Sequence, residues 1–207
     1  MQTGTVHIVD DDAALRKALV RLCGSAGLKA EGHADASGLL ANPDVERPAC
    51  ILLDVRLTHD DGLDVQARFQ ASGTTIPIIF LTGYGTIPMT VRAMRGGAVE
   101  FLTKPADDDD ILAAIDRALA LDAASVAARI ARDALVLRLG SLTVRERDVF
   151  GLAIGGLMNK QIAAELGVSE ITAKVHKRRV MEKMEARSLA DLVRMAGELG
   201  IDAPRQR

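Results

Sequence analysis

Residues 5–12 read TVHIVDDD. Five residues rich in β-branched side chains suit a buried strand, and three aspartates follow at once. Adjacent carboxylates repel one another, and the end of a buried strand gives them nothing in return. The arrangement makes sense if a cation that the sequence does not supply binds there. For any one of these acids the alternative is the N-cap of a helix following the strand.

Outward from that stretch, strand and helix signals alternate through residue 121. Short β-rich or apolar runs lie at 5–9, 28–32, 49–53, 76–81 and 99–102. Helical spacing fills the gaps, as where Leu15, Leu19, Leu22 and Ala26 recur on one face. Five such units predict a flavodoxin-like, doubly wound, five-stranded parallel sheet with helices on both faces. The acids at 107–110 open the last helix of this half, at the end where its dipole favours them. Its apolar positions Ile111, Ile115, Leu119, Val126 and Ile130 run on into an Ala- and Arg-rich stretch without Gly or Pro. That stretch covers 122–139, and with Gly140 closing it residues 122–140 are predicted as a helical linker.

From 141 to 207 the pattern is all-helical. Thr143 and Glu146 form a capping box, Asn159 and Ser169 are expected N-caps, and Gly155, Gly156 and Gly167 mark turns. Leu189, Leu192, Val193 and Ala196 line a last helix after Ser188. The result is a second domain of four short helices. With 48% hydrophobic but only 2% aromatic residues, both cores must be aliphatic. The formal charge is −6 over residues 1–121 and +4 over 122–207, which points to different partners for the two halves. No apolar run approaches the roughly 20 residues of a membrane span, and the start does not read as a signal peptide. Cys23 and Cys50 sit in apolar segments and are expected as buried thiols of a cytoplasmic protein.

In an open parallel sheet, ligands bind beyond the carboxyl ends of the strands. Those ends carry Asp10 and Asp11, then Asp54, then Thr82, then Lys104. Each has a task in phosphoryl transfer. Asp10 and Asp11 supply oxygen ligands for Mg²⁺. Asp54 is the nucleophile, and Lys104 spreads the phosphoryl charge. The Thr82 hydroxyl donates to a phosphoryl oxygen.

In the second half, TAKVHKRRV (172–180) holds four cations and no acid. Ala173, His176, Val180 and Met184 share one helix face, and Lys174, Val175 and Arg178 lie opposite. A helix anchored on one side with such a face on the other suits a DNA major groove. One helix covers few base pairs, so a two-fold dimer on two half-sites is expected.

The motifs VDDD (9–12), LLDVRL (52–57), FLTGYG (80–85) and FLTKP (101–105) resemble two-component receiver domains, and residues 82–105 resemble the FixJ type most. LTVRERDVF (142–150), GLMNKQIAAELGVS (156–169) and TAKVHKRRVMEKM (172–184) resemble the LuxR/NarL-type helix-turn-helix. The resemblance implies a response regulator, not an enzyme. A sensor histidine kinase would phosphorylate Asp54, the phosphorylated chain would form a homodimer, and double-stranded DNA would be bound; the transcription machinery is a further candidate partner. It implies Mg²⁺ on Asp10, Asp11, Asp54 and the Arg56 carbonyl, and a switch made by Thr82 and Phe101. On the DNA side it implies that Lys174, Val175 and Arg178 face bases. Lys160, Ser169, Thr172, His176, Arg179 and Lys183 would contact phosphates or position the helix. Thr58 stands where the family usually has Pro, Ala106 where Phe often follows Lys-Pro, and Ala173 where Val is usual. The competing reading is a DNA binder that ignores phosphorylation and keeps a vestigial receiver. A nucleotide-binding enzyme is disfavoured because no Gly-rich loop follows the first strand.

Overall fold

A computed structural model describes residues 3–42 and 45–202. The chain forms two compact units, one reaching Ala127 and one starting at Ala128. In the first, β1 (Thr5–Val9), β2 (Lys29–His33), β3 (Ala49–Leu53), β4 (Ile78–Thr82) and β5 (Glu100–Thr103) pair in the order β2-β1-β3-β4-β5. All four pairings are parallel. The connecting helices are α1 (Ala13–Ser25), α2 (Ser37–Ala41), α3 (Gly62–Ala71) and α4 (Ile87–Arg95), and α5 (Asp108–Gly140) follows β5.

The sequence places the strands to within two residues, and the slips at β2 and β4 have local causes. The Leu28 N–H closes helix α1 on the Cys23 carbonyl at 3.0 Å, so β2 starts one residue later. Pro77 has no N–H to give a ladder, so β4 starts at Ile78 rather than Ile76.

Strands β1, β3 and β4 are buried along their whole length, as a sheet covered on both faces requires. Side chains alternate between two cores. Val6, Ile8, Cys50, Leu52, Ile79 and Leu81 meet α1 and α5 through Leu19, Cys23, Ile115 and Leu119. Val9, Ile51, Leu53, Ile78 and Phe80 meet the opposite helices through Leu63, Val65, Phe69 and Ala93. Each fully buried aliphatic contributes about 1.5–3 kcal/mol, so the strand ends stand on a stiff base. Cys23 and Cys50 are free, buried thiols. Burial pushes them up to about 11 and about 12. Asp122 is fully buried in this unit. It accepts from Arg47 Nε at 2.6 Å and from the Ala49 N–H at 2.8 Å, tying α5 to the start of β3.

The second unit packs α6 (Val144–Ile154), α7 (Asn159–Leu166), α8 (Glu170–Met184) and α9 (Leu189–Glu198) around Val149, Phe150, Ile162, Val180, Met184 and Leu192. The capping box forms as expected: the Glu146 N–H donates to Thr143 Oγ1 at 3.3 Å and the Thr143 N–H to Glu146 Oε2 at 2.9 Å. Ser169 Oγ caps α8 by accepting from the Thr172 N–H at 3.1 Å. Gly167 ends α7 in the left-handed region, φ 64°. Asn159 is not the N-cap of α7. It is the first helical residue, and Met158 precedes it as the cap. The Ile162 N–H donates to the Met158 carbonyl at 2.9 Å, which starts the helix there, and Gln161 Oε1 reaches back to the Met158 N–H at 2.8 Å.

Candidate functional site

Backbone hydrogen bonds carry the ladder one residue past each strand and so fix the rim. The Asp10 N–H donates to the His33 carbonyl at 3.2 Å, the Asp54 N–H to Val9 at 2.9 Å, and the Lys104 N–H to Thr82 at 2.8 Å. Four strands thereby present their end residues together.

The three aspartates that follow β1 divide their roles. Asp12 is the N-cap of α1, its Oδ1 accepting from the Ala14 N–H at 2.8 Å and from Leu15 at 3.2 Å. The Leu15 and Ala14 amides hold its carboxyl below the usual range. Asp10 is buried and accepts Lys104 Nζ at 2.8 Å, its other oxygen taking the Asp12 N–H at 2.8 Å. Asp11 is exposed, and its Oδ2 accepts the Thr58 hydroxyl at 2.5 Å.

Asp54 is the meeting point. Its Oδ2 accepts Lys104 Nζ at 2.6 Å and its Oδ1 the Arg56 N–H at 3.1 Å. Burial pushes the Lys104 ammonium down, but its bonds to Asp10 and Asp54 outweigh that and hold it above its ordinary value. It therefore stays charged at neutral pH. Three carboxylates against one ammonium leave a negative balance made only of oxygen donors. That donor set fits a hard divalent cation such as Mg²⁺, with Asp10, Asp11 and Asp54 as the side chains to hold it.

Thr82 is fully buried, and its Oγ1 accepts the Tyr84 N–H at 3.3 Å. Phe101 is half-buried on β5, its ring centroid 5.9 Å from that of Phe80. The sequence reading named the Arg56 carbonyl and noted Thr58, but missed what their side chains touch, and it missed Gly62 altogether. The Thr58 hydroxyl sits on Asp11, 47 positions away, a pairing that spacing alone could not reveal. The Arg56 guanidinium lies 3.8 Å over the Tyr84 ring. Gly62 leaves no room for a side chain: a Cβ there would stand 2.4 Å from the Asp54 carbonyl oxygen.

A second surface lies on α8. Ala173, Val180 and Met184 are buried, while Lys174, Val175, Arg178 and Arg179 are exposed. Thr172 and His176 are half-buried, and Lys160 is exposed on α7. The Ser169 and Thr172 hydroxyls meet at 2.8 Å. Arg178 Nε donates to Glu182 at 2.8 Å across one helical turn. Lys183 differs from the others. Its ammonium donates to the Glu146 carboxylate at 2.6 Å and the Ser141 carbonyl at 3.0 Å, within the unit. The Lys183 bond and the Thr143 N–H pull Glu146 down to about 2.

Residues 6–116 match the family described as response regulator receiver domain, and residues 140–196 match the bacterial regulatory proteins of the luxR family. Nodulation protein W of Bradyrhizobium diazoefficiens is 46% identical over 198 residues, 96% of this chain and 87% of that protein. The transcriptional regulatory protein FixJ of Azorhizobium caulinodans is 40% identical over 95% of this chain and 93% of its own. Among solved structures, the response regulator StyR is similar with a TM-score of 0.85 at 44% identity, over 96% of this chain and 100% of that one.

Proposed function

The chain belongs to the response regulators that join a receiver domain to a LuxR-type DNA-binding domain, and from that premise we propose which of its residues do the work. It is a phosphorylation-activated transcription regulator, with a histidine kinase and DNA as partners. Asp54 is the phosphoacceptor. Its carboxylate oxygen forms a bond to phosphorus as the bond from phosphorus to the kinase imidazole breaks. Lys104, already on Asp54 Oδ2, shifts to the incoming phosphoryl oxygens while Asp10 keeps it in place. Mg²⁺ held by Asp10, Asp11, Asp54 and the Arg56 carbonyl would supply further positive charge beside those oxygens. The observation that carries the assignment is the single Lys104 ammonium shared by Asp10 and Asp54.

The Thr82 hydroxyl, freed from the Tyr84 N–H, donates to the new phosphoryl group. Its inward movement opens space toward which Phe101 turns, and this alters the face of α4 and β5. That face exposes Ile87, Val91 and Met94, so the phosphorylated chain dimerises there. The receiver covers residues 1–121, and 122–140 link it to the reading domain at 141–207. Lys174, Val175 and Arg178 read bases. Lys160, Ser169, Thr172, His176 and Arg179 hold phosphates or set the helix. Lys183, engaged by Glu146 and Ser141, positions α8 from within.

The test is labelling with acetyl phosphate in the presence of Mg²⁺, read by intact mass. The unaltered chain gains one phosphoryl group and Asp54→Asn gains none; retained labelling of Asp54→Asn overturns the assignment. Affinity for a selected DNA site, measured with and without the phosphodonor at fixed salt, rises with phosphorylation. Equal affinity would favour the vestigial receiver.

A further inference from the structure

A second cluster, on the paired strands β1 and β2, has no side chain in the chemistry above. His7 on β1 is register partner to Glu31 on the edge strand β2, and His33 lies two residues beyond on the same face. His7 Nδ1 is 3.2 Å from His33 Nε2 and 3.8 Å from Glu31 Oε2. Lys29 takes the other Glu31 oxygen at 3.5 Å and leaves Oε2 toward the histidines. The ligand atoms of all three residues fall within 4.8 Å of one another.

We propose that His7, Glu31 and His33 form a binding site for one borderline divalent transition-metal ion, Zn²⁺ in the first place. Ligand bonds of about 2.0–2.2 Å in a tetrahedron put neighbouring ligand atoms about 3.3–3.6 Å apart, so the two His7 spacings need to move by only a few tenths of an ångström, and the third pair, within 4.8 Å, closes by at most about 1.5 Å as the exposed Glu31 side chain swings in. Two imidazoles and a carboxylate favour zinc, copper or nickel, whereas the all-oxygen rim favours magnesium.

The competing arrangement is a plain hydrogen bond between two neutral imidazoles. In either arrangement the buried His7 Nε2 has no partner among the described residues, so the choice rests on the convergence of Nδ1, His33 Nε2 and Glu31 Oε2. His7 is buried, His33 is half-buried and Glu31 is exposed, so an ion reaches the site from the open edge of β2 and water completes its shell. The ion would clamp the edge strand to its neighbour.

The experiment uses the full chain, stripped with a chelator, then titrated with Zn²⁺ against a chromogenic chelator in excess Mg²⁺. Co²⁺ is added in a parallel arm and its visible spectrum recorded. The expected result is one equivalent of Zn²⁺ and the intense visible bands of four-coordinate cobalt. His33→Ala abolishes both, Glu31→Gln weakens zinc binding by at least about tenfold, and Asp11→Asn leaves it unchanged. Melting curves confirm that the variants fold, and Glu31→Gln decides if His33→Ala does not. Absence of zinc binding overturns the proposal, as does equal affinity of the unaltered chain and a folded His33→Ala or Glu31→Gln variant.

Discussion

Replacing Lys104 by Ala separates the two charges that the rim must manage. The ammonium makes two short bonds, 2.6 Å to Asp54 and 2.8 Å to Asp10. In the transfer step the bond to Asp54 becomes a bond to a phosphoryl oxygen. A hydrogen bond to a charged group is worth about 1.5–3 kcal/mol, so its loss slows phosphorylation by roughly 10–150-fold. Cation binding moves the other way. Without the ammonium, Asp10, Asp11 and Asp54 face the ion with no internal competitor, and Mg²⁺ affinity holds or rises. Single-turnover phosphorylation by acetyl phosphate, resolved on phosphate-affinity gels, gives the rate; Mn²⁺ titration followed by electron paramagnetic resonance gives the cation affinity. A Lys104→Ala rate within about threefold of the unaltered chain would refute the role given to Lys104. So would a folded variant that has lost its cation.

Four other outcomes are expected. Gly62→Ala forces a Cβ to within 2.4 Å of the Asp54 carbonyl oxygen, so the backbone must shift; urea unfolding shows a loss of about 1–3 kcal/mol, and phosphorylation slows. Glu146 is held down to about 2, well below its ordinary 4.5, by Lys183 first and then the Thr143 N–H. Its folded value is the depressed one, so the stability it gives is full above about pH 4.5 and fades as pH falls toward 2. Glu146→Gln should therefore flatten acid unfolding of the helical unit in that window, as followed by circular dichroism. On the DNA surface, Arg178→Ala costs about 1–3 kcal/mol and relaxes preference at one base position. Arg179→Ala weakens all sequences alike and lowers the slope of log affinity against log salt by about one.

Most of the sheet is legible because its signal is local. Runs such as ACILL at 49–53 are wholly apolar, and only a strand buried on both faces asks for that. The placement of the rim residues is legible for the same reason: strand ends announce themselves, and Asp10, Asp54 and Lys104 each sit one residue beyond. What sequence could not give is contact at long range. Thr58 reads as a departure from a usual proline, yet its hydroxyl holds Asp11. The apolar spacing along α5 runs on past the sheet, and nothing in it reveals that Asp122 is buried against Arg47 and the start of β3. Asn159 has a good capping side chain, but the Gln161 and Ile162 amides both donate to the Met158 carbonyl at 2.9 Å, so the helix starts one residue before it can cap. His7 reads as an ordinary strand residue until the register with β2 places Glu31 and His33 beside it.

The two thiols beneath the sheet have a practical consequence. With Cys23 and Cys50 walled in and hard to ionise, alkylating reagents at neutral pH should leave the native chain almost untouched. A cysteine introduced at exposed Met94 or Leu137 would then be the one position to accept a spin label or dye. Motion in either half could be followed in real time without first removing any natural residue.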